Sequence, residues 1–433
     1  MDSRNETITI VGAGCVGLAT AIGFASVGLE VTCFDIDEAK IKSLKAGTPT
    51  THEENLRESL TACAKFLHFT SRPEKALSNA EFIFIAVPTP LSEDGKADLS
   101  SFWAAVDAIF EHAANDCFIV VKSTVPLGTN AQVRKMARRN SKFKISVVSN
   151  PEFLAQGTSI RDTIQSSRIV VGAADPEDGE RVLSLYKKFN SDKLLTTPES
   201  AEMIKYASNC YLAMRVSYIN DIANLCAAVG ADIRDVVKGI SLDPRIGGGY
   251  LSPGLGYGGS CLPKDTKSFY NQVRSEFQYD LGLMKATIDI NDRQSLYLCK
   301  KIHEDSQSLS GIDVAVLGLS FKAGTDDVRN SIAVGNINYM IGNGAKVTVW
   351  DPVAMNNARM LFGNSVAYAA SLEEAVKASQ IILIATDWPE ITQVDFSILS
   401  GKKIYDGKNC LLSRKGQINF QYTFIGGEIG RDG

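Results

Sequence analysis

The chain has 433 residues, too many for one ordinary hydrophobic core, so about two to four domains are expected. Apolar residues make up 45% and charged residues 22%, the balance of a soluble globular protein, and 13 prolines are too few for a fibrous or disordered chain. Lysine and arginine total 45 against 49 aspartates and glutamates, a formal net charge of −4 with no basic run, which argues against a nucleic-acid partner.

Nine cysteines, an odd number, lie scattered with no C-x-x-C pair, and the four histidines are isolated. Neither a metal site nor a disulfide framework is supported; the expectation is reduced thiols, most of them buried as small hydrophobes. From Ile8 to Leu29 no residue is charged, which is long enough to imitate a membrane span or signal. Five glycines interrupt that run, a strand-like ITIVG opens it, a second strand-like segment follows it, and no basic leader precedes it. The reading is a soluble, cytoplasmic protein with no membrane partner.

The first elements in chain order form a βαβ unit. A strand over Thr7–Val11 leads into Gly12-Ala13-Gly14-Cys15-Val16-Gly17, then a small-residue helix to about Val27, then a strand over Glu30–Phe34 ending at Asp35. This is G-x-G-x-x-G in its proper context, with an acid 23 residues after the first glycine. Gly12, Gly14 and Gly17 permit a tight turn and a close approach to a pyrophosphate, which the helix N-terminus attracts. Asp35 can accept the ribose hydroxyls and repels a 2′-phosphate, which favours NAD over NADP.

Further strands are expected at Phe82–Val87, Phe118–Lys122 and Ile145–Ser149, separated by helices, the alternation of a parallel doubly wound sheet. Their ends carry Val87-Pro88-Thr89-Pro90, Lys122-Ser123-Thr124-Val125-Pro126 and Asn150-Pro151-Glu152-Phe153-Leu154. These loops are expected to line one cleft with the glycine loop, because ligands of such sheets bind outside the carboxyl strand ends.

From Glu199 to Val229 the pattern is one long helix, about 45 Å of connector between domains. Its apolar positions are too many for one face, so it is also a candidate dimer surface. A glycine- and proline-rich stretch, Leu242 to Lys264, and a second helical region follow.

Near Ile312 the opening pattern returns: DVAVLGLSF echoes TITIVGAGC, KVTVWDP echoes EVTCFDID, and SQIILIATDWP echoes AEFIFIAVPTP. A second Rossmann-like domain is read over 312–433. Its loop, Gly318-Leu319-Ser320, lacks the later glycines, so a nucleotide other than NAD is expected there. The fold class is α/β: two Rossmann-like doubly wound domains, 1–198 and 312–433, joined by a helical middle domain over 199–311.

Two constellations carry chemistry. In Gly254-Leu255-Gly256-Tyr257-Gly258-Gly259-Ser260-Cys261-Leu262-Pro263-Lys264-Asp265, a cysteine stands where a run of glycines ends. A thiol at a helix N-terminus is favoured as the nucleophilic thiolate, and Asp265, one turn on, can act as a base toward water. The plain alternative is a buried cysteine with a capping aspartate. Lys205 and Asn209, four apart on the long helix, can hold a developing oxyanion, although such a pair is more often a solvated face.

The ordered series GAGCVG, AVPTPLSEDGKADLS, KSTVPLGT, NPEFLAQGT, ESAEMIKYASNCYLAMRVSYINDIA, LDPRIGGGYLSPGLGYGGSCLPKDT and GLSFKAGTDDVRNS covers nearly the whole chain. It resembles the UDP-glucose/GDP-mannose dehydrogenase family, and the LDPRIG and GYGGSCLPKD segments most resemble its UDP-glucose-oxidising members. The resemblance implies two hydride transfers from a sugar primary alcohol to two NAD in succession. Cys261 would capture the aldehyde as a thiohemiacetal that becomes a thioester. Lys205 and Asn209 would stabilise oxyanions, and Asp265 would activate the hydrolytic water with Glu152 and Thr124.

The resemblance also implies Gly12, Gly14, Gly17, Asp35, Lys40, Thr89, Thr124 and Arg329 for NAD. Phe153, Leu154, Lys205, Asn209, Tyr257, Gly258 and Lys322 would hold the nucleotide sugar. Arg245 would reach the substrate of a neighbouring subunit, so a homodimer or higher homo-oligomer is expected. Two positions depart from the family pattern: Gln156 stands where many members carry glutamate, and Lys408 where relatives often carry a sugar-contacting arginine. Lysine keeps the charge but loses the planar fork. The same chemistry on GDP-mannose or a UDP-N-acetylhexosamine is the near alternative, and a non-catalytic NAD-binding regulatory protein the distant one.

Overall fold

The structure, a computed structural model, describes residues 6–139 and 142–429. They form two compact units divided between Ser208 and Asn209, each described by itself.

The first unit is built on eight strands: β1 (Ile8–Val11), β2 (Val31–Phe34), β3 (Leu67–Thr70), β4 (Phe82–Ile85), β5 (Cys117–Val121), β6 (Ile145–Ser149), β7 (Arg168–Ala173) and β8 (Asp192–Thr196). Their order is β3-β2-β1-β4-β5-β6-β7-β8. The chain leaves β1 toward β2 and β3 and returns to β4 on the other side, so the switch point of the topology lies between β1 and β4. Both faces of the sheet are covered, and β4, Phe-Ile-Phe-Ile, shows it. Phe82 and Phe84 join the core beneath the helix Cys15–Ser26, while Ile83 and Ile85 join the opposite core with Phe102, Val106 and Ile109. A strand buried on both faces needs a continuous apolar run rather than alternation.

All neighbouring strands here are parallel except β6 and β7. The connection from Asn150 to Ser167 does not cross the sheet, so β7 runs back along β6; this modifies the expected all-parallel sheet. Val87 and Lys122, expected inside strands, lie just past the ends of β4 and β5. Pro88 has no N–H for a continuing ladder.

The uncharged run from Ile8 to Leu29 resolves into β1, the glycine turn and the helix Cys15–Ser26, whose residues Gly17 to Ala25 are all buried. Among the described residues no helix is long and apolar enough to cross a membrane.

The long helix runs unbroken from Pro198 to Val229, 32 residues. In the second unit its later turns contribute Ile219, Ala223 and Cys226 to a core with Ile233, Leu298, Ile302, Val314 and Val316. Tyr211, Tyr218 and Leu225, seven residues apart, stay at least half exposed, and so does Val229.

The second unit's sheet comprises β9 (Asp313–Leu317), β10 (Lys346–Trp350), β11 (Ala367–Tyr368), β12 (Ile381–Ile384), β13 (Lys403–Asp406), β14 (Gln421–Phe424) and β15 (Gly427–Ile429). The order β11-β10-β9-β12-β13-β14-β15 repeats the plan of the first sheet around its opening strand, and only β15 is antiparallel. Alternate residues of β12 again divide between two cores, Ile381 and Leu383 to one, Ile382 and Ile384 to the other.

Candidate active site

The glycine turn follows β1. Gly12 takes φ +105°, a region that favours glycine, and a Cβ there would stand 2.6 Å from the Ala86 carbonyl oxygen. A Cβ at Gly17 would lie 1.8 Å from the Gly12 carbonyl oxygen, so helix and turn pack with no room for a side chain. Gly14 is different: nothing lies within 4 Å of the place its Cβ would take. The helix beginning at Cys15 has no side-chain cap and no acid in its first turn. An uncapped N-terminus beside open space accommodates a pyrophosphate.

Asp35, past the end of β2, accepts the N–H of Ala13 at 2.8 Å, the N–H of Asp37 at 3.0 Å and the Lys40 ammonium at 2.9 Å. Burial alone would raise its carboxyl. The Asp37 and Ala13 N–H groups together with Lys40 outweigh burial and hold it below the usual carboxylate range. The acid is therefore ionised and placed where the turn begins. These residues fit a dinucleotide.

The loops that end β4, β5 and β6 are stitched together. The Thr89 hydroxyl donates to the Thr124 carbonyl at 2.8 Å, and the Ser123 hydroxyl to the Val87 carbonyl at 2.7 Å. Lys122 donates to Asn150 Oδ1 at 3.1 Å, and the Asn150 amide donates to the Val170 carbonyl. Glu152 pairs with Lys205 at 2.8 Å, both almost wholly buried. Burial pushes Glu152 up, but Lys205, the Leu154 N–H and Lys122 more than reverse it, so the carboxylate stays ionised. Phe153 lies beneath the Arg168 guanidinium, 4.0 Å from ring centroid to Cζ, and 5.6 Å from Lys205 Nζ. A cavity of 260 Å³ opens here, lined by Lys122, Glu152, Phe153, Leu154, Arg168 and Tyr186 among others.

In the second unit, the glycine run before Cys261 is sterically required. Gly256 (φ +105°) and Gly259 (φ +86°) would bring a Cβ within 2.5 Å of Asn291 Oδ1 and 2.7 Å of the Phe321 ring. Asn291 clamps Tyr257 by accepting its N–H at 2.7 Å and donating to its carbonyl at 3.1 Å. Gly258 meets the Asn330 carbonyl, which a Cβ would approach to 2.7 Å.

None of the nine cysteines is in a disulfide, and Cys261 alone among them is exposed. Six are buried and Cys15 and Cys410 are half-buried. Burial raises the thiols of Cys33, Cys117, Cys210 and Cys299, which are correspondingly poor nucleophiles. Cys261 stands at the N-cap of the helix Leu262–Glu276. Asp265, one turn on and 1% exposed, accepts the Asn209 amide at 2.6 Å and pairs with Lys264. Lys205 and Asn209 occupy successive turns of the long helix.

The remaining predicted residues are peripheral in their own unit. Arg245 is 88% exposed and forks onto Asp243. Arg329 is 68% exposed and forks onto Asp327. Lys322 lies 5.8 Å from the Phe321 ring. The Lys408 N–H caps Asp406, and Gln156 is half-buried in the loop after β6.

Three side chains that motif reading left without a role organise the first unit. Glu53 accepts the Cys15 thiol at 3.0 Å, the N–H groups of Gly157 and Ser159, and the Ser159 hydroxyl, tying the glycine turn to the NPEFLAQGT loop. Glu202 accepts the N–H groups of Gly128 and Asn130. Lys122 ends the apolar run CFIVV as a buried cation, a sequence signal that was visible but unassigned.

Three family models match in order. They are the NAD binding domain of the UDP-glucose/GDP-mannose dehydrogenase family over residues 6–190, its central domain over 199–293 and its UDP binding domain over 315–413. A UDP-glucose 6-dehydrogenase of Bacillus subtilis is 39% identical over 412 residues, 93% of each chain. The solved UDP-glucose dehydrogenase of Pyrobaculum islandicum superposes with a TM-score of 0.93 at 36% identity, covering 98% of both chains. The UDP-D-ManNAc dehydrogenase of Pyrococcus horikoshii gives 0.85 at 28% identity over 97% of this chain and 99% of that one. With a dinucleotide turn, a glycine-framed cysteine and three ordered domain matches, the chain belongs to the UDP-glucose/GDP-mannose dehydrogenase family of NAD-dependent oxidoreductases.

Proposed function

We propose that the chain oxidises the C6 alcohol of UDP-glucose to the carboxylate of UDP-glucuronate, in two two-electron steps, through a thiohemiacetal and a thioester on Cys261. The observation that carries this reading is the exposure of Cys261 alone among nine cysteines, at a helix N-terminus with buried Asp265 one turn on. The division into parts at 198/199 and 311/312 belongs to the same proposal.

When bound, NAD would supply the hydride acceptor for each oxidation at C6. Gly12, Gly14, Gly17, Asp35, Lys40, Thr89, Thr124 and Arg329 would hold it; Phe153, Leu154, Tyr257, Gly258 and Lys322 would hold the sugar nucleotide. After the first oxidation the Cys261 thiolate forms a C–S bond to the aldehyde carbon, and the carbonyl π electrons become an alkoxide that Lys205 and Asn209 stabilise. Capture prevents escape of the aldehyde and leaves a second C–H to be oxidised. After the second oxidation, water adds to the thioester carbon and loses its proton to a carboxylate base. Asp265 serves as that base, assisted by Glu152 and Thr124. The C–S bond breaks, releasing the carboxylate and the Cys261 sulfur.

The exposed stripe Tyr211, Tyr218, Leu225 and Val229 supports a homodimer built on the long helix, with Arg245 completing the partner's substrate site. The same chemistry on GDP-mannose or a UDP-N-acetylhexosamine is the second reading. Lys408 in place of the sugar-contacting arginine favours it, as does the likeness to a UDP-D-ManNAc dehydrogenase.

The test is NADH formed per sugar consumed, with UDP-glucose, GDP-mannose and UDP-N-acetylmannosamine in parallel. Two NADH with UDP-glucose alone is the expected result. Two with another sugar replaces the substrate, and none with any sugar defeats the reading. Cys261→Ser is expected to stop after the first oxidation; two NADH per product in that variant would remove the thioester.

A further inference from the structure

We infer that Lys122 is a positioning residue for the Glu152–Lys205 pair: a buried lysine, tied to Asn150, that fixes the Asn150–Glu152 turn and lines the same cavity as Glu152. Lys122 is 7% exposed, and its ammonium reaches Asn150 Oδ1 at 3.1 Å and the Asn150 carbonyl at 3.5 Å. The same Asn150 oxygen accepts the Tyr186 hydroxyl at 2.6 Å, and the Asn150 amide is anchored on Val170. A lysine carries a heavy desolvation cost in such a place, so an apolar residue would suit the strand end better on stability grounds alone.

What offsets that cost is the neighbouring carboxylate. Glu152, two residues after Asn150, is stabilised by both Lys205 and Lys122. The charged groups that bear on Lys122 are Lys205 from the long helix and Glu152 from the loop after β6. The other ionisable groups on the shared cavity are Asp162, Arg168 and Tyr186. Glu202, on the same helix, turns its oxygens to Gly128 and Asn130. Burial lowers Lys122 to about 8, with Glu152 opposing and Lys205 adding to the fall. Below about pH 7 Lys122 is therefore a cation on the cavity that Glu152 lines, and above about pH 8 it is increasingly neutral.

The inference rests on the reading of Glu152 as part of the hydrolytic machinery, and the sign of the effect follows. Removing the cation raises the Glu152 carboxyl, so more of it is protonated at low pH and the acid limb of kcat moves up. Lys122→Met is expected to move that limb upward by up to about one pH unit, the low end of the scale for a nearby opposite charge. The wild-type and variant profiles should run parallel above about pH 9, where Lys122 is mostly neutral. Lys122→Arg keeps the charge and should leave the acid limb in place. Tyr186→Phe, which removes a bond to Asn150 without touching charge, should also leave it.

The experiment is the pH dependence of kcat, from NADH formation at saturating UDP-glucose and NAD, for wild type, Lys122→Met, Lys122→Gln and Lys122→Arg. Thermal melts of each accompany it. A limb that shifts in Met and Gln but not in Arg supports the inference. Equal rate losses at every pH with unmoved limbs overturn it in favour of a packing role. If Lys122→Met melts early, Lys122→Gln, which can still reach Asn150, decides the question. Absence of NADH from wild type would instead sink the functional reading, so the two failures are distinguishable.

Discussion

At the end of β1, Gly12 (φ +105°) donates its N–H to the Phe34 carbonyl at 2.7 Å; at the end of β9, Gly318 (φ +85°) donates to the Trp350 carbonyl at 2.8 Å. Each turn is then held by an acid one residue past the adjacent strand. Asp35 accepts Ala13, and Asp351 accepts Leu319 at 2.7 Å. Beyond this shared joint the two regions diverge. Asp35 keeps part of its surface and shares its charge with Lys40. Asp351 is 2% exposed and takes N–H donors from Leu319, Ser320, Val353, Ala354 and the indole of Trp388. In the first unit a helix begins three residues after the glycine; in the second the next helix waits until Ile332. One acid stays partly open, and its counterpart is sealed into the fold. That is a structural reason why the second turn cannot present its acid to a ligand as the first can.

The contrast can be broken at its acids first. Asp351→Ala strands five N–H donors, four of them buried, each buried one costing about 1–3 kcal/mol when unmet, so a loss of at least about 3 kcal/mol in urea unfolding is expected. A loss under about 1 kcal/mol would show that Asp351 is not what holds the second turn. The glycines come next. Gly12→Ala and Gly318→Ala should each cost about 1–3 kcal/mol, because both force an L-residue into a disfavoured region. Their added Cβ atoms would meet Ala86 and Thr386 at 2.6 and 2.4 Å. Of the two, Gly12→Ala alone should also weaken NAD.

Asp35→Ala sharpens the difference from the other side. Its expected signature is a KM for NAD raised at least about tenfold, about 1.4 kcal/mol, a smaller preference over NADP, and less destabilisation than Asp351→Ala. Because the folded-state carboxyl of Asp35 is depressed, its bonds contribute stability above the unfolded pKa and lose it as pH falls through the folded value. Acid unfolding of wild type should therefore show a contribution below about pH 4 that Asp35→Asn lacks. The smallest effect belongs to Trp388→Phe, which removes one indole donor to Asp351. About 1 kcal/mol of stability should be lost, with NAD kinetics unchanged.

Much of this was legible in the residues. The turn GAGCVG, the acid at Asp35 and the long helix follow from local demands: a positive φ, an uncapped helix start, a stretch free of proline. The echo in DVAVLGLSF also led to a second sheet of the same plan, because alternation of buried strands and helices is a local pattern. The reversal of β7 was not legible, since it depends on where the chain after Asn150 returns. Nor was the hub at Glu53, whose partners at Gly157 and Ser159 lie more than a hundred residues away.

What the sequence by itself determined is the chemistry available at each position: glycines where backbone must approach backbone, acids after β2 and β10, and a cysteine beside Leu262-Pro263-Lys264-Asp265. What only the tertiary structure decided is which of those groups is spent. Eight cysteines are wholly or partly buried and one is exposed; Asp351 is sealed by Trp388, 37 residues on; Lys122 is buried against Asn150. The reason is physical. Conformational preference is a property of a few neighbouring residues, whereas burial and the satisfaction of a charge are set by groups that meet only when distant strands pair.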